Sequence, residues 1–525
     1  MQFTTSIFNR AVTIEMMNSD IYQMKEPVDV LLDDKHVLTT TKNVFSLTGL
    51  LPDHHYKIAV IAQNDRADGE IHTLKESVLF NVKDFGAKGD GVSNDTTFIQ
   101  TAILSCPDNG TVYVPKGTYF VTPLFMKSNL TLWLDEGAEL LGSADRRDYP
   151  ILPGMTRSTD EKKEYSLSSW EGNPLTSFAS LITAINCEHV DIIGPGTING
   201  NAEAGDWWQN HRTKRLAWRP NTVFFNGCNH MRMQNVTVKN SPCWTIHPYY
   251  CDDLSFLNLT IQNPYDSPNT DGFDPESCKN VLLLGTKISV GDDCVAIKSG
   301  KFYMARNHFK RTENIVIRNC DFERGHGSVT VGSEIAGGVT GVKVEQCLFD
   351  ATDRGVRIKT RRGRGERSLL DEISFDKIFM KNVHMPMTFN MFYFCDPDGH
   401  TDFVQNTDPA PVDELTPKIG SIRVKNTECV GVDSCFLCAY GLPEMPIEKI
   451  SLENVTASFL PKEEQRLDRP VMMDRFEPIK GVGIWACNVK EMDIKNVTIH
   501  GANETEPVLK NVLTTAFDQL NYETR

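Results

Sequence analysis

Between residues 231 and 494 one short pattern keeps returning: apolar, polar, apolar, then a two-residue step that often ends in Asn. It reads Met231-Arg232-Met233 before Asn235, Leu254-Ser255-Phe256 before Asn258 and Ile315-Val316-Ile317 before Asn319. A less regular copy is Val281-Leu282-Leu283. Later ones are Val342-Lys343-Val344, Ile373-Ser374-Phe375, Ile422-Arg423-Val424, Ile450-Ser451-Leu452 and Met492-Asp493-Ile494. Alternation with period two predicts a strand with one buried face. Successive copies lie mostly 23 to 34 residues apart, stretched to 42 or 49 where loops intervene. With no helical stretch expected between copies, that spacing predicts stacked coils rather than βαβ units. Each coil buries its apolar face only by stacking on the next. The expected fold is therefore all-β, a right-handed parallel β-helix over residues 78–525. The recurrent Asn predicts a ladder at one turn. The glycosylation-like triplets beginning at Asn235, Asn258, Asn454 and Asn496 are then structural in origin.

Residues 1–77 have another rhythm. Runs such as Val28-Asp29-Val30-Leu31-Leu32 and Tyr56-Lys57-Ile58-Ala59-Val60 alternate with polar turns at the spacing of a β-sandwich. The stretch Leu51-Pro52-Asp53-His54-His55-Tyr56 resembles the tyrosine corner of fibronectin type III domains, so a small sandwich of that kind is expected, with no chemistry of its own. Residues 94–106 have helical spacing and are expected to cap the exposed end of the β-helix. Residues 146–176, 385–418 and 461–480 depart from the repeat and read as inserted loops.

Composition narrows the function. A net charge of −15 argues against nucleic acid as partner. No apolar run approaches the length of a membrane span. The start of the chain lacks a basic region followed by an apolar stretch, so a cytoplasmic protein is expected. The fourteen cysteines are scattered, with a lone Cys435-x-x-Cys438, and read as buried thiols rather than disulfides or metal ligands. Neither a metal nor another cofactor is expected.

Four short motifs carry candidate chemistry: Asn269-Thr270-Asp271-Gly272, Gly291-Asp292-Asp293-Cys294, Gly325-His326-Gly327 and Arg357-Ile358-Lys359. They are spaced close to one coil apart, so they should stack on one face at about 5 Å per rung. A strictly alternating strand would point Asp292 and Asp293 to opposite faces, so a bend is expected there. Three carboxylates beside fixed cations suit cleavage of an acidic sugar chain. Seven cations lie between Arg354 and Arg367, with only Glu366 against them, and read as a track for a polyanion. Tyr393, Trp207 and Trp208 could stack on sugar rings, although aromatics in a repeat protein are more often core.

In order and spacing these motifs resemble those of glycoside hydrolase family 28, the polygalacturonase family. Asp84-Phe85-Gly86-Ala87-Lys88-Gly89-Asp90-Gly91, Gly200-Asn201, Arg219-Pro220 and Ser241-Pro242-Cys243-Trp244 extend the resemblance across residues 79–525. It implies inverting hydrolysis of α-1,4-linked galacturonate, with a galacturonate oligo- or polysaccharide as substrate. By matching positions, Asp292 is implied as general acid, Asp271 and Asp293 as the residues that hold and activate water, and His326 as the group that tunes the acid. Arg357 and Lys359, with Asn269 and Tyr393, are implied to bind substrate. Exo action is expected over endo action. A related pectic chain such as rhamnogalacturonan, a calcium-dependent lyase and a non-catalytic adhesin are the competing readings.

Overall fold

The computed structural model describes residues 1–63 and 65–523. Thirty of the described strands join one continuous hydrogen-bonded network. It is a right-handed parallel β-helix, as the repeat predicts. A typical coil runs through three short strands, for instance Asn229–Gln234, Thr237–Lys239 and Ile246–Tyr249. Each pairs in parallel with its equivalent one coil on: Met231 faces Leu254, Val238 faces Ile261, and Val223 in the preceding coil faces Ile246. The inward apolar residues form one contiguous core along the axis. Phe322 and Phe349 pack in it with ring centres 5.6 Å apart and their planes tilted.

The Asn ladder exists and has a backbone cause. Asn235, Asn258, Asn319, Asn454 and Asn496 all hold positive φ between 52° and 62°, the left-handed turn that Asn tolerates best among non-glycine residues. Their amides then link coil to coil, as where the Asn258 Nδ2 donates to Asn235 Oδ1 at 3.0 Å and that of Asn496 to Asn454 at 2.9 Å.

Two expectations need correction. Residues 385–390 are not loop: Met385–Asn390 is a strand paired with Arg354–Lys359, so the insertion starts at 391. The stretch between the repeat copies at 281 and 315 also holds a short helix, Phe302–Asn307, hidden from a period-two search by its length. The capping helix is Thr96–Ser105, and it buries Ile99, Ala102 and Ile103 against the first coil. Among the described residues no helix is long and apolar enough to cross a membrane.

At the N-terminus, strands Phe3–Ile7, Ala11–Met16 and Val44–Thr48 form one antiparallel sheet. Lys35–Lys42, Gln23–Leu32, His55–Ala62 and Asp65–His72 form a second. The two share a core of their own around Val12, Ile14, Val30, Phe45 and Val60. Leu79–Asn81 is the first strand of the parallel network. The sheets dock on the flank of the β-helix, where Glu15 pairs with Arg318 at 2.6 Å and Arg232 lies 4.1 Å over the Phe8 ring.

Candidate active site

Register explains how four distant motifs meet. Phe273, Val295, Val329 and Val356 are successive partners in one parallel ladder. Asp271, Asp293 and Gly327 each lie two residues before their ladder residue, so they stack at one phase of successive coils. The expected bend is present: residues 291–293 lie outside any strand, and Val295–Ile297 resumes the sheet. There Asp292 turns to the cleft while Asp293 turns in. Close packing also demands glycine. A Cβ on Gly327 would stand 2.6 Å from Asp293 Oδ1, and Gly325 holds φ +110°.

Asp271, Asp292 and Asp293 each present an oxygen within 4.8 Å of the other two. Asp292 is the open one, with its side chain 22% exposed against 6% and 1% for Asp271 and Asp293. His326, at the cleft surface, places Nδ1 3.2 Å from Asp292 Oδ1. That hydrogen bond raises the imidazole pKa despite opposing burial.

Behind this pivot the surroundings differ. Asp293 takes Arg357 Nη1 at 2.9 Å on one oxygen and Lys359 Nζ at 2.7 Å on the other. Burial alone would push its carboxyl up, but Lys359 and Arg357 outweigh burial and hold it well below the usual carboxylate range. For Asp271 burial dominates: reinforced by Asp292 and only partly offset by Lys298, it lifts the carboxyl to about 8. An acidic trio of this size could also hold a cation. Arg357 and Lys359 already supply Asp293 with the counter-charge that a metal would bring.

All eight residues expected at the site lie in or beside this cluster, in unequal positions. Asn269 accepts from Arg219 Nη2 at 2.6 Å rather than touching an aspartate. Tyr393 is nearly buried, with Lys359 Nζ 5.2 Å from its ring centre. Arg357 and Lys359 are only 7% exposed, and segment 470–472 covers them, with Asn390 Nδ2 donating to Met472 O. The polyanion track is overturned. Arg361 and Arg364 pair with Asp396, Arg362 pairs with Glu444, and all three are buried. They clamp an inserted loop instead of facing a ligand. Trp207 is fully buried among Tyr149 and Phe178, and the Trp208 indole donates to Ser241 O.

Lys298, Asp274 and Glu334 escaped the sequence reading. The signal was there, since Lys298 ends the apolar run Val295-Ala296-Ile297 and Asp274 follows Asp271 by three residues. A charge inside an apolar rung must be paired if it is buried.

Comparison with known proteins gives the family and the fold. The sequence profile described as "Glycosyl hydrolases family 28" matches residues 140–429, and one described as "Rhamnogalacturonase A/epimerase, pectate lyase-like" matches residues 79–162. A "Probable polygalacturonase" of Vitis vinifera is 30% identical over 384 residues, covering 71% of this chain and 73% of its own. An "Endo-polygalacturonase" of Pectobacterium parmentieri is 29% identical over 57% of this chain and 73% of its own. Among solved structures, the Yersinia enterocolitica family 28 exopolygalacturonase superposes with TM-score 0.70 over 98% of both chains, at 18% identity. The Thermotoga maritima exopolygalacturonase gives 0.64 over 81% of this chain and 92% of its own, at 24% identity. The structural likenesses establish the fold, and the profile match over more than half the chain establishes descent: this protein belongs to glycosyl hydrolases family 28.

Proposed function

We propose that this chain hydrolyses α-1,4-galacturonosidic bonds of polygalacturonate or oligogalacturonides with inversion, acting from a chain end. The carrying observation is the division of labour in the trio: one half-open aspartate in front of two buried ones. Only Asp292 can reach a glycosidic oxygen, so it is the general acid, with His326 holding its carboxyl in place. Asp271 and Asp293 hold and activate the water. A sugar ring over Asp292 strips its remaining solvent and sets its carboxyl against the leaving oxygen. The proton that burial keeps on Asp271 in the empty site then passes to Asp292 and leaves Asp271 as a base. After cleavage Asp271 has the water's proton, and the starting state is restored.

Stereochemistry follows from the same burial. The trio's oxygens lie closer together than the roughly 6.5–9.5 Å common in inverting enzymes. Retention, however, needs a carboxylate that is both charged and free to attack the sugar. Asp293 is charged but fixed by two cations, and Asp271 is buried beside Lys298. Arg357 and Lys359 border the cleft floor through their residual exposed faces, with Tyr393 beside them, and there meet the substrate carboxylate. Asn269, oriented by Arg219, hydrogen-bonds the sugar on the other side.

Exo action is supported by how the insertions are tied. Lys301 reaches Asp396 at 2.9 Å and Glu171 at 4.0 Å, and so joins the loops around residues 396 and 171 next to Glu334. Such a clasp blocks one end of a groove. Size analysis of products from polygalacturonate is the test. Early release of mono- or digalacturonate alone means exo action; a ladder of intermediate oligomers means an open cleft, and no cleavage refutes the substrate. The anomer first formed, read by NMR, decides inversion.

The N-terminal sheets are read as a fibronectin type III-like module, supported by three strands facing four and by the Leu51 amide donating to Tyr56 Oη at 2.8 Å. A cytoplasmic location is supported by fourteen free cysteines, thirteen of them buried.

A further inference from the structure

Lys298 stands at the end of Val295–Ile297, directly behind the catalytic floor, with its side chain 4% exposed. Its Nζ lies 3.2 Å from Glu334 Oε2, 3.5 Å from Asp274 Oδ1 and 3.7 Å from Asp271 Oδ2, and 4.3 Å from the Trp244 ring centre. One buried ammonium thus serves three buried carboxyls, two from the coil before its own and one from the coil after. Asp274 is fully buried, and neither of its oxygens has a hydrogen-bond donor. Burial, with Asp271 beside it, pushes its carboxyl well above the usual carboxylate range. Glu334 is the ionised partner: burial is outweighed there by Lys298, with Lys301 and Arg364 adding to it.

We propose that Lys298 is a positioning residue of the reaction, fixing the Asp271 carboxyl in place and supplying the charge that lets it ionise as base. The proposal rests on the reading of Asp271 as water-activating. Its physical basis is a count of what faces Asp271. Asp292 and Asp293 face it from the neighbouring coil, Asp274 from its own turn, and Cys243 and Arg219 stand behind. Two cations act on it directly, Lys298 and Lys359, and Lys359 is committed to Asp293. Without Lys298, Asp271 would be a buried carboxyl among carboxyls and would keep its proton through the working pH range. Because Glu334 draws on the same ammonium, it limits how much charge Lys298 lends to Asp271.

This competition gives two variants with opposite signs. In Lys298→Met, the acid limb of the kcat–pH profile is expected to move up by about one pH unit or more. There kcat should fall about 100-fold, within the range for a lost base, while KM changes less than about threefold. In Glu334→Gln, Lys298 is released toward Asp271 and the limb should move down. Lys298→Arg should recover most of the rate, because its charge is retained. Thermal unfolding of each variant reports on folding. If Lys298→Met does not fold, Glu334→Gln alone decides, and an unmoved acid limb there overturns the proposal. So does a Lys298→Met enzyme that is slow at a wild-type limb, or one impaired only in KM. Asp271→Asn separates the premises. If it retains wild-type activity, the base assignment fails and takes this proposal with it. If it is inactive while Lys298→Met leaves the limb unmoved, only the proposal fails.

Discussion

The two sides of the catalytic floor are both dry and differ in their share of cations. On one side Asp293 is paired with two cations, Arg357 and Lys359. On the other, Asp271 shares one cation, Lys298, with Asp274 and Glu334. Burial pushes both carboxyls up, yet Asp293 ends well below the usual range and Asp271 at about 8. The ratio of cations to carboxylates, not depth, decides which aspartate carries a proton. A reaction that needs both a permanent anion and a switchable proton is served by that imbalance.

The largest expected effect comes from removing the pivot between the two sides. Asp292→Asn should cut kcat by about 10³-fold with little change in KM, since an amide cannot donate the proton to the leaving oxygen. Reducing-sugar release checks it. A variant within tenfold of wild type would dissolve the distinction between open and buried aspartates.

Next comes the cation-rich side. Lys359→Met leaves Asp293 with one partner and should lower unfolding free energy by about 3 kcal/mol, measurable in urea. The pH dependence sharpens this. Asp293 has a depressed pKa in the fold, so its contribution is present above its ordinary value of 3.8 and lost as pH falls below it. The variant, with a weaker depression, should lose less stability on acidification than the wild type.

The cation-poor side should respond in the opposite sense and more weakly. Asp271 has a raised pKa, so the stability of its neutral form is complete below 3.8 and lost as pH rises toward about 8. Asp271→Asn should therefore be inactive yet more stable near neutral pH, by about 1–2 kcal/mol, with the difference shrinking toward pH 4. Melting temperatures at both pH values test it. A destabilised Asp271→Asn would mean that the two sides do not differ as described.

Much of this site is legible in the order of the residues. Asp271, Asp293 and Gly327 sit at one phase of a repeat, with Asp292 and His326 one residue before it, and in a β-helix phase becomes position. The cation run from Arg354 to Arg367 shows the opposite case. Its charges read as a ligand track because their partners, Asp396 and Glu444, lie in or beyond an inserted loop whose path no period describes. Trp207 likewise is core because Tyr149 and Phe178, from elsewhere in the chain, close over it.

The sequence by itself determined the stacked coils, the Asn ladder, the separate N-terminal sheets and the family motifs on one face. All of these depend on local alternation and fixed spacing, which the chain carries in its order. Tertiary structure alone decided how charge is shared: that Lys298 serves three carboxyls, that Arg357 and Lys359 lie against Asp293, and that segment 470–472 covers them. The strength of an ion pair in a dry interior depends on distances of a few ångströms between residues far apart in sequence, and no pattern along the chain encodes those distances.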